Sequence, residues 1–155
     1  MTSSALIAAV SAALASRVAA AGGVADIAES MDEAVAYLAG GTTRWRLILL
    51  WDGYGSHPAA REGMTTHQIT AVIQQARGLP AAAGPKLLAF AERIEQVSAW
   101  IRAMRFPDGC EADQAGFSLA DSRWLEAPPA TRAHMLNFSL AAALPGFAET
   151  IPLVF

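Results

Sequence analysis

The spacing of hydrophobic residues along the chain predicts seven secondary-structure elements followed by an apolar tail. Apolar residues repeat with the helical period in some segments and alternate or run continuously in others. The predicted elements are helices at 4–20 and within 24–39, strands at 45–51 and 65–77, a helix from Gly84 to just before Pro107, and strands at 117–125 and 132–142. The order α-α-β-β-α-β-β is typical of a single α+β domain spanning 1–155, with a mainly antiparallel sheet of about four strands packed by helices and an extended tail at 146–155.

The two N-terminal helices are predicted from their apolar stripes and their end signals. The first carries its stripe at helical spacing on Leu6, Ile7, Val10, Leu14 and Val18. Gly22 and Gly23 follow and are expected to end it. In the second, Ser30 and Glu33 have the spacing of a capping box. Residues 24–29 before it are either an extended lead-in or an earlier helical turn.

The central strands are predicted from a continuous apolar run and from a β-branched segment. The run Trp45–Trp51 indicates a buried strand, and 52–63 is expected to be a loop. The segment 65–77 is expected to pair antiparallel with it. Alternation would place Ile69, Ala71 and Ile73 on one face of that strand and Thr70, Val72 and Gln74 on the other.

The C-terminal half consists of a long helix followed by two strands. Pro85 suits the first helical turn. The predicted apolar stripe of this helix is Leu87, Leu88, Ala91, Ile94, Val97, Ile101 and Met104. In the last strand, His134, Leu136, Phe138 and Leu140 share one face, whereas Ala133, Met135, Asn137 and Ser139 share the other.

The amino-acid composition limits the classes of protein to which this chain can belong. The charged fraction is 16%, below the usual ~25% of soluble domains, and the hydrophobic fraction is 54%. Either an alanine-rich fold or a subunit that buries surface against neighbours fits these values. The net charge of −3 gives no support for nucleic-acid binding, although like charge would let DNA pass without adhering. Cys110, the single cysteine, excludes an intrachain disulfide and is expected to be an incidental thiol in a loop.

No recognisable catalytic, cofactor-binding or metal-binding motif is present. His57, His67 and His134 lack partners at metal-ligand spacing, and His134 is expected to face a partner or solvent. The Gly53-Tyr54-Gly55 segment lacks the third glycine and helix of a dinucleotide site. We therefore predict that the protein is not an enzyme and needs no cofactor.

The N-terminal segment 1–21 does not have the features of a targeting or membrane signal. It lacks a positively charged start, and Arg17 interrupts its apolar stretch. No apolar run reaches the length of a membrane span. A soluble protein without a membrane partner, made in the cytoplasm, is expected.

Three parts of the chain carry a resemblance to a known family. They are the acidic segment 29–34 leading into the strand 46–53, the strand 69–77 followed by the helix 87–104, and the closing strand 133–140. In this order and spacing the chain resembles the tail-terminator (tail-completion) proteins of long-tailed bacteriophages, including the lambda-type minor tail terminator and related proteins of Mu-like phages.

The resemblance implies a structural virion protein of the tail and neck, assembled in the bacterial host cytoplasm. Such proteins form a homo-oligomeric ring, expected to be a hexamer, that caps the head-proximal end of the tail tube and docks the neck or head-completion protein. The DNA would pass through the ring lumen. The interface candidates, chosen for exposure, apolarity or aromatic character, are Trp51, Tyr54, His57, Arg61, Trp124, Phe147, Ile151, Leu153 and Phe155.

Other functions remain open at this stage. The chain could be another neck or tail-completion subunit. It could be a small-molecule-binding or enzymatic α+β domain whose site residues meet only in space. It could also be an adaptor that binds partner strands at a sheet edge.

Overall fold

The computed structural model describes residues 3–34, 45–56, 64–76, 83–104, 116–127 and 131–143. Its elements are α1 (Ser3–Ala20), β1 (Val24–Ala28), β2 (Arg46–Ser56), β3 (Met64–Ala76), α2 (Ala83–Ala103), β4 (Ser118–Leu125) and β5 (Thr131–Ala143). The predicted α+β class is confirmed.

The five strands form one mixed sheet in the order β1-β2-β3-β5-β4. The pair β1–β2 is parallel, and the pairs β2–β3, β3–β5 and β4–β5 are antiparallel. The expected pairing of the two central strands is therefore confirmed. The last strand in sequence is inserted beside β3, which leaves β4 at one edge of the sheet and β1 at the other.

The strand β1 raises the number of strands from the predicted four to five, and it decides for the extended alternative at 24–28. Val24–Ala28 pairs with 46–50 of β2, and Asp26 forms an ion pair with Arg46 in which Oδ2 and Nε are 3.2 Å apart. A five-residue segment is too short for its periodicity to separate helix from strand. The distant strand β2, which supplies the hydrogen-bonding partners, decides the outcome.

The predicted capping interaction is present after β1. The backbone N–H of Glu33 donates to Oγ of Ser30 at 3.1 Å, and the Glu33 carboxylate accepts the N–H of Glu29 at 2.7 Å. Residues 31–34 are helical. The remainder of this predicted helix lies outside the described residues.

The predicted stripe and end of α1 are confirmed. Leu6, Val10, Leu14 and Val18 are buried, and Ile7 is partly buried against them. After the helix, Gly22 has φ of +80°, which glycine adopts without a Cβ clash. The N–H of Gly23 donates to the carbonyl of Val18, and that of Gly22 to the carbonyl of Ala19. These are the two hydrogen bonds of a Schellman motif.

Gly23 has a packing role in addition to its role in the turn. A Cβ built on Gly23 would lie 2.8 Å from two ring carbons of Trp45 and closer to a third. The Trp45 ring has little freedom to move, because its Nε1 donates to the carbonyl of Ala21 at 3.0 Å and Arg93 stacks 4.5 Å from its centroid.

We therefore expect Gly23→Ala to lower the free energy of unfolding by about 1–3 kcal/mol, as overpacking does. Urea unfolding followed by tryptophan fluorescence measures it. The matched control is Gly84→Ala, since a Cβ there meets no atom within 4 Å. Equal stabilities of the two variants would show that Trp45 does not confine this position.

The two faces of the sheet differ in what covers them. The helix-packed face, which carries residues such as Leu47, Ile73 and Phe138, packs against α1 and α2. The opposite face carries a smaller apolar cluster that includes Ile48, Val72 and Met135. The predicted alternation of β3 and β5 is confirmed.

The apolar stripe of α2 differs from the predicted one. Phe90, Val97 and Ile101 are buried, with Ile94 partly buried. These positions follow an i, i+4, i+7, i+11 spacing that includes Phe90, which the predicted stripe omitted. Leu87, Leu88 and Ala91 were expected in the stripe but are exposed. Leu88 and Ala91 lie on neighbouring rows of the helix, away from the sheet.

Candidate functional site

Two β-bulges lie at the same level of the sheet on either side of its β3–β5 pair. Asp52 is the extra residue in β2, and Ala120 is the extra residue in β4. The residues beside them on the two inner strands, Ile69 and Phe138, pair with each other. Bulges redirect side chains and are frequent near functional sites, so this level of the sheet is a candidate functional site.

The bulge in β2 also corrects a sequence prediction. A loop was expected from Asp52 onward, yet β2 continues to Ser56 opposite Thr65. Gly53 has φ of +101°, a conformation that glycine tolerates and that lets the chain absorb the extra residue. The pairing then resumes with Gly53 opposite Gln68.

A half-open pocket of about 220 Å³ lies between the two bulges. We call it the bulge pocket. Its lining residues are Asp52, Gln68, Ile69, Ala120, Asp121, Asn137, Phe138 and Ser139. Five of these eight residues are polar, in contrast to the buried apolar cluster elsewhere on the opposite face.

A buried hydroxyl group organises one side of the bulge pocket. Thr70 Oγ1 is within hydrogen-bonding distance of Asp52 Oδ2 and lies 2.7 Å from the side-chain amide of Asn137. A hydroxyl has one hydrogen to donate, and a carboxylate can only accept. Thr70 Oγ1 faces two acceptors, Asp52 Oδ2 and Asn137 Oδ1, and can donate to one of them at a time.

A second carboxylate lies on the β4 side. Asp121 accepts the backbone N–H of Ser122 through Oδ1 at 2.8 Å. The bulge pocket thus has a carboxylate on each side, with the amide of Asn137 and the side chains of Gln68 and Ser139 also in its lining. Among the described residues, no group of three or more His, Cys, Asp or Glu side chains is arranged to hold a metal ion.

A separate cluster lies on the helix-packed face at the β4 edge. Ser122 Oγ and His134 Nε2 are 2.7 Å apart, and the Trp124 ring packs edge-on against His134 with centroids 5.1 Å apart. Trp124 also contacts Phe90, with centroids 5.8 Å apart. His134 is buried between these groups, which corrects the expectation that it faces a partner or solvent.

The Ser122–His134 hydrogen bond does not form a catalytic triad within the described residues. A nucleophilic serine requires a histidine whose second nitrogen is oriented by a third group. His134 Nδ1 has no hydrogen-bond partner in the part of the chain that the structure describes. We interpret the pair as a structural link between β4 and β5.

Burial of two histidines predicts that stability falls on acidification. His67 is 1% exposed and His134 8%, and burial lowers the pKa of each below the ordinary 6.5. The unfolded chain therefore takes up protons near pH 6.5, whereas the folded chain stays neutral to lower pH. Unfolding consequently becomes more favourable as pH falls from about 6.5 towards the lowered pKa values.

Each of these histidines changes the free energy of unfolding by at most about 1.4 kcal/mol per pH unit. Urea unfolding at intervals between pH 7.5 and 5.5 measures it. His134→Gln should reduce the slope, because one of the two groups is removed. A free energy of unfolding that is constant or rises on acidification would contradict the prediction.

Three of the predicted interface residues, Trp51, Tyr54 and Trp124, lie in the described part of the chain. Trp51 and Trp124 are both exposed, but they lie on β2 and β4 with two strands between them. Tyr54 is in β2 opposite His67. The other candidates, His57, Arg61, Phe147, Ile151, Leu153 and Phe155, lie outside the described residues, as does Cys110.

The residues that sequence reasoning missed share one property. Asp52, Thr70, Asp121 and Asn137 come from four strands and meet only through the strand order. Leu119, exposed on β4, was also missed. The Gly53 next to Asp52 was the only local signal of a bulge, and a loop explained it equally well.

Comparison with known proteins identifies no family for this chain. No family model matches the chain, and no curated protein matches it significantly. Within the described residues, no helix is both long and apolar enough to cross a membrane.

Proposed function

We propose that this protein is the subunit of a structural ring, the tail terminator that caps the head-proximal end of a phage tail tube and docks the neck or head-completion protein. The observation that carries the proposal is strand β4. It is an edge strand of eight residues, and seven of these residues are exposed.

Two large apolar side chains on β4 are exposed. Leu119 is 41% exposed and Trp124 56%. An edge strand presents unpaired backbone groups on its outer side and is a template for pairing with another chain. Tryptophan is also enriched in interface hot spots. A strand of this length with exposed apolar groups supports a binding role for this edge.

The two edges of the sheet suit a ring better than a two-fold dimer. The strand β1 at the other edge is shorter and exposes Ile27. Two different edges on one subunit favour head-to-tail contacts, which close into rings when the rotation between subunits allows it. The hexameric stoichiometry rests on the family resemblance alone, and the net charge of −3 is compatible with DNA passing through the lumen.

The first test is the absolute mass of the purified protein across concentration, by light scattering with negative-stain imaging. Discrete rings, or a monomer that forms rings only on added tail tubes, would support the proposal. A monomer that binds neither tube ends nor neck proteins would overturn the proposal.

Three alternatives make different predictions in the same experiment. Another neck or tail-completion subunit would associate with neck proteins but not with free tube ends. A small-molecule-binding domain, which the bulge pocket favours, would stay monomeric and respond to a ligand instead. An adaptor would accept an extended peptide at β4 without forming a ring.

A further inference from the structure

We propose that strand β1 of one subunit pairs antiparallel with strand β4 of a second copy of this chain, with Asp26 opposite Arg123. The proposal rests on the ring function proposed above and names the contact that such a ring requires. Three properties of the two sheet edges carry it: the direction of their backbone groups, their charges and the sizes of their side chains.

The directions of the two edge strands make their contact antiparallel. Strand β1 runs parallel to β2, and three successive antiparallel pairs lead from β2 to β4. Strand β4 therefore runs opposite to β1. Subunits that repeat around an axis along the strands keep their strand direction, so β4 of one subunit meets β1 of the next antiparallel.

The outward-facing backbone groups of β1 belong to Ala25 and Ile27. The N–H of Val24 donates to the carbonyl of Trp45 at 3.0 Å, so the backbone of Val24 faces β2. Backbone groups of successive residues in a strand point to alternate sides. Ala25 and Ile27 therefore direct their N–H and C=O groups away from β2.

The outward-facing backbone groups of β4 belong to Ser122 and Trp124. The alternation that begins at Trp45 continues through the antiparallel registers, in which opposite residues either face each other or face apart. The pairs whose backbones face each other include Arg46–Gln74, Ile73–His134 and Met135–Arg123. Since Arg123 faces β5, its neighbours Ser122 and Trp124 face the outer side of the edge.

One antiparallel register pairs all four of these outward-facing residues. It places Ala25 opposite Trp124 and Ile27 opposite Ser122, all on the helix-packed face. Trp124 and Ile27 are exposed in the single subunit, and each meets a small residue. The diagonal between Ile27 and Trp124 is about 7–8 Å, which an aromatic side chain spans. This register therefore shields both large apolar side chains.

The same register sets Asp26 opposite Arg123. Both lie on the face opposite the helices, because they pair with Ile48 and Met135 of their own subunit. Asp26 already contacts Arg46 through Oδ2. A carboxylate has two oxygens and several acceptor sites, so it can accept from both guanidinium groups.

Other registers lose the match of charges. The smallest shift that keeps the hydrogen-bonding pattern is two residues. In one direction it places Asp26 opposite Asp121, and like charges directly opposite each other are destabilising. In the other direction it places Asp26 opposite the apolar Leu125. Backbone direction and charge therefore select the same register.

Disulfide formation between full-length chains tests the register. Each chain carries Cys110→Ser, and a chain with Asp26→Cys is mixed with one that has Arg123→Cys, with and without added tail tubes. The expected Cα separation of this pair is about 4.5 Å, which a disulfide spans.

The matched control is the mixture of Asp26→Cys with Asp121→Cys. In the proposed register these two positions are diagonal, about 7–8 Å apart. We expect the mixed disulfide to form at least roughly tenfold faster in the Asp26–Arg123 mixture than in this control. Non-reducing electrophoresis measures both rates.

Charge exchange tests the ion pair. Asp26→Arg and Arg123→Asp each place like charges across the contact, and each should weaken self-association at least roughly tenfold. An equimolar mixture restores opposite charges at every contact of an alternating ring and should return association to within about threefold of the unsubstituted chain. Glu92→Arg makes the same change of charge at an exposed position on α2 and should leave association unchanged. Light scattering measures association, and circular dichroism establishes that each variant is folded.

The results separate this contact from the ring itself. Equal disulfide rates in the two mixtures, or no recovery when the charge variants are mixed, would overturn the contact. If the unsubstituted chain still forms rings, the ring proposal stands and its contact lies elsewhere. A fast mixed disulfide and recovery on mixing, in chains that form only open oligomers, would support the contact and overturn the ring.

Discussion

Replacing Phe90 by alanine is expected to lower the free energy of unfolding by about 3–5 kcal/mol. Phe90 is fully buried and joins α2 to the helix-packed face of the sheet. Its ring also contacts Trp124 on β4, so its loss leaves a cavity and removes an aromatic contact with the edge strand. Urea unfolding with a two-state fit measures the change.

Leu88→Ala is the matched control for this prediction. Leu88 lies two residues away on the same helix but is 68% exposed. Its replacement should change the free energy of unfolding by no more than about 0.5 kcal/mol. A loss of similar size in both variants would contradict the packing of α2, because it would mean that both rows of this helix are buried.

Leu119→Lys is expected to prevent formation of the proposed ring without unfolding the subunit. A lysine on an edge strand is a device by which proteins block pairing with other chains. Burying an unpaired lysine in the contact costs about 2 kcal/mol or more, which weakens association by roughly 30-fold. Light scattering over a range of concentrations measures the shift from ring to monomer.

Leu88→Lys is the control for surface charge. It introduces the same side chain at a more exposed apolar position on α2, away from the β4 edge. The ring should persist in this variant. If Leu88→Lys disrupts the ring and Leu119→Lys does not, the contact surface includes α2 rather than β4.

The bulge pocket and the β4 edge meet at the second bulge. Ala120 and Asp121 line the pocket and also lie on the edge strand. The Leu119→Lys variant changes the edge strand without changing the pocket, since Leu119 does not line the pocket.

Local sequence signals predicted the elements whose structure depends on near neighbours. The stripe of α1 from Leu6 to Val18 and its end at Gly22 follow from spacing within one helix and from the conformational freedom of glycine. The two faces of β5 follow from alternation within one strand. Neither inference requires knowledge of what the element packs against.

Elements that depend on a distant partner were predicted incorrectly or not at all. The strand β1 exists because β2 supplies its hydrogen bonds. His134 is buried, and the Trp124 ring of the neighbouring strand β4 packs against it. In α2, the choice between Phe90 and Leu88 as the buried residue depends on how the helix is rotated against the sheet. The sequence of α2 contains both apolar rows, so the sequence does not determine which of them is buried.

The sequence by itself determined the α+β class, the antiparallel pairing of β2 with β3 and the division of the inner strands into two faces. The tertiary structure alone decided that β5 lies between β3 and β4, which makes β4 an edge and aligns the two bulges. It also placed Thr70 against Asn137, 67 residues away. Contacts over such separations arise from strand order, and strand order has no signal within the local spacing of polar and apolar residues.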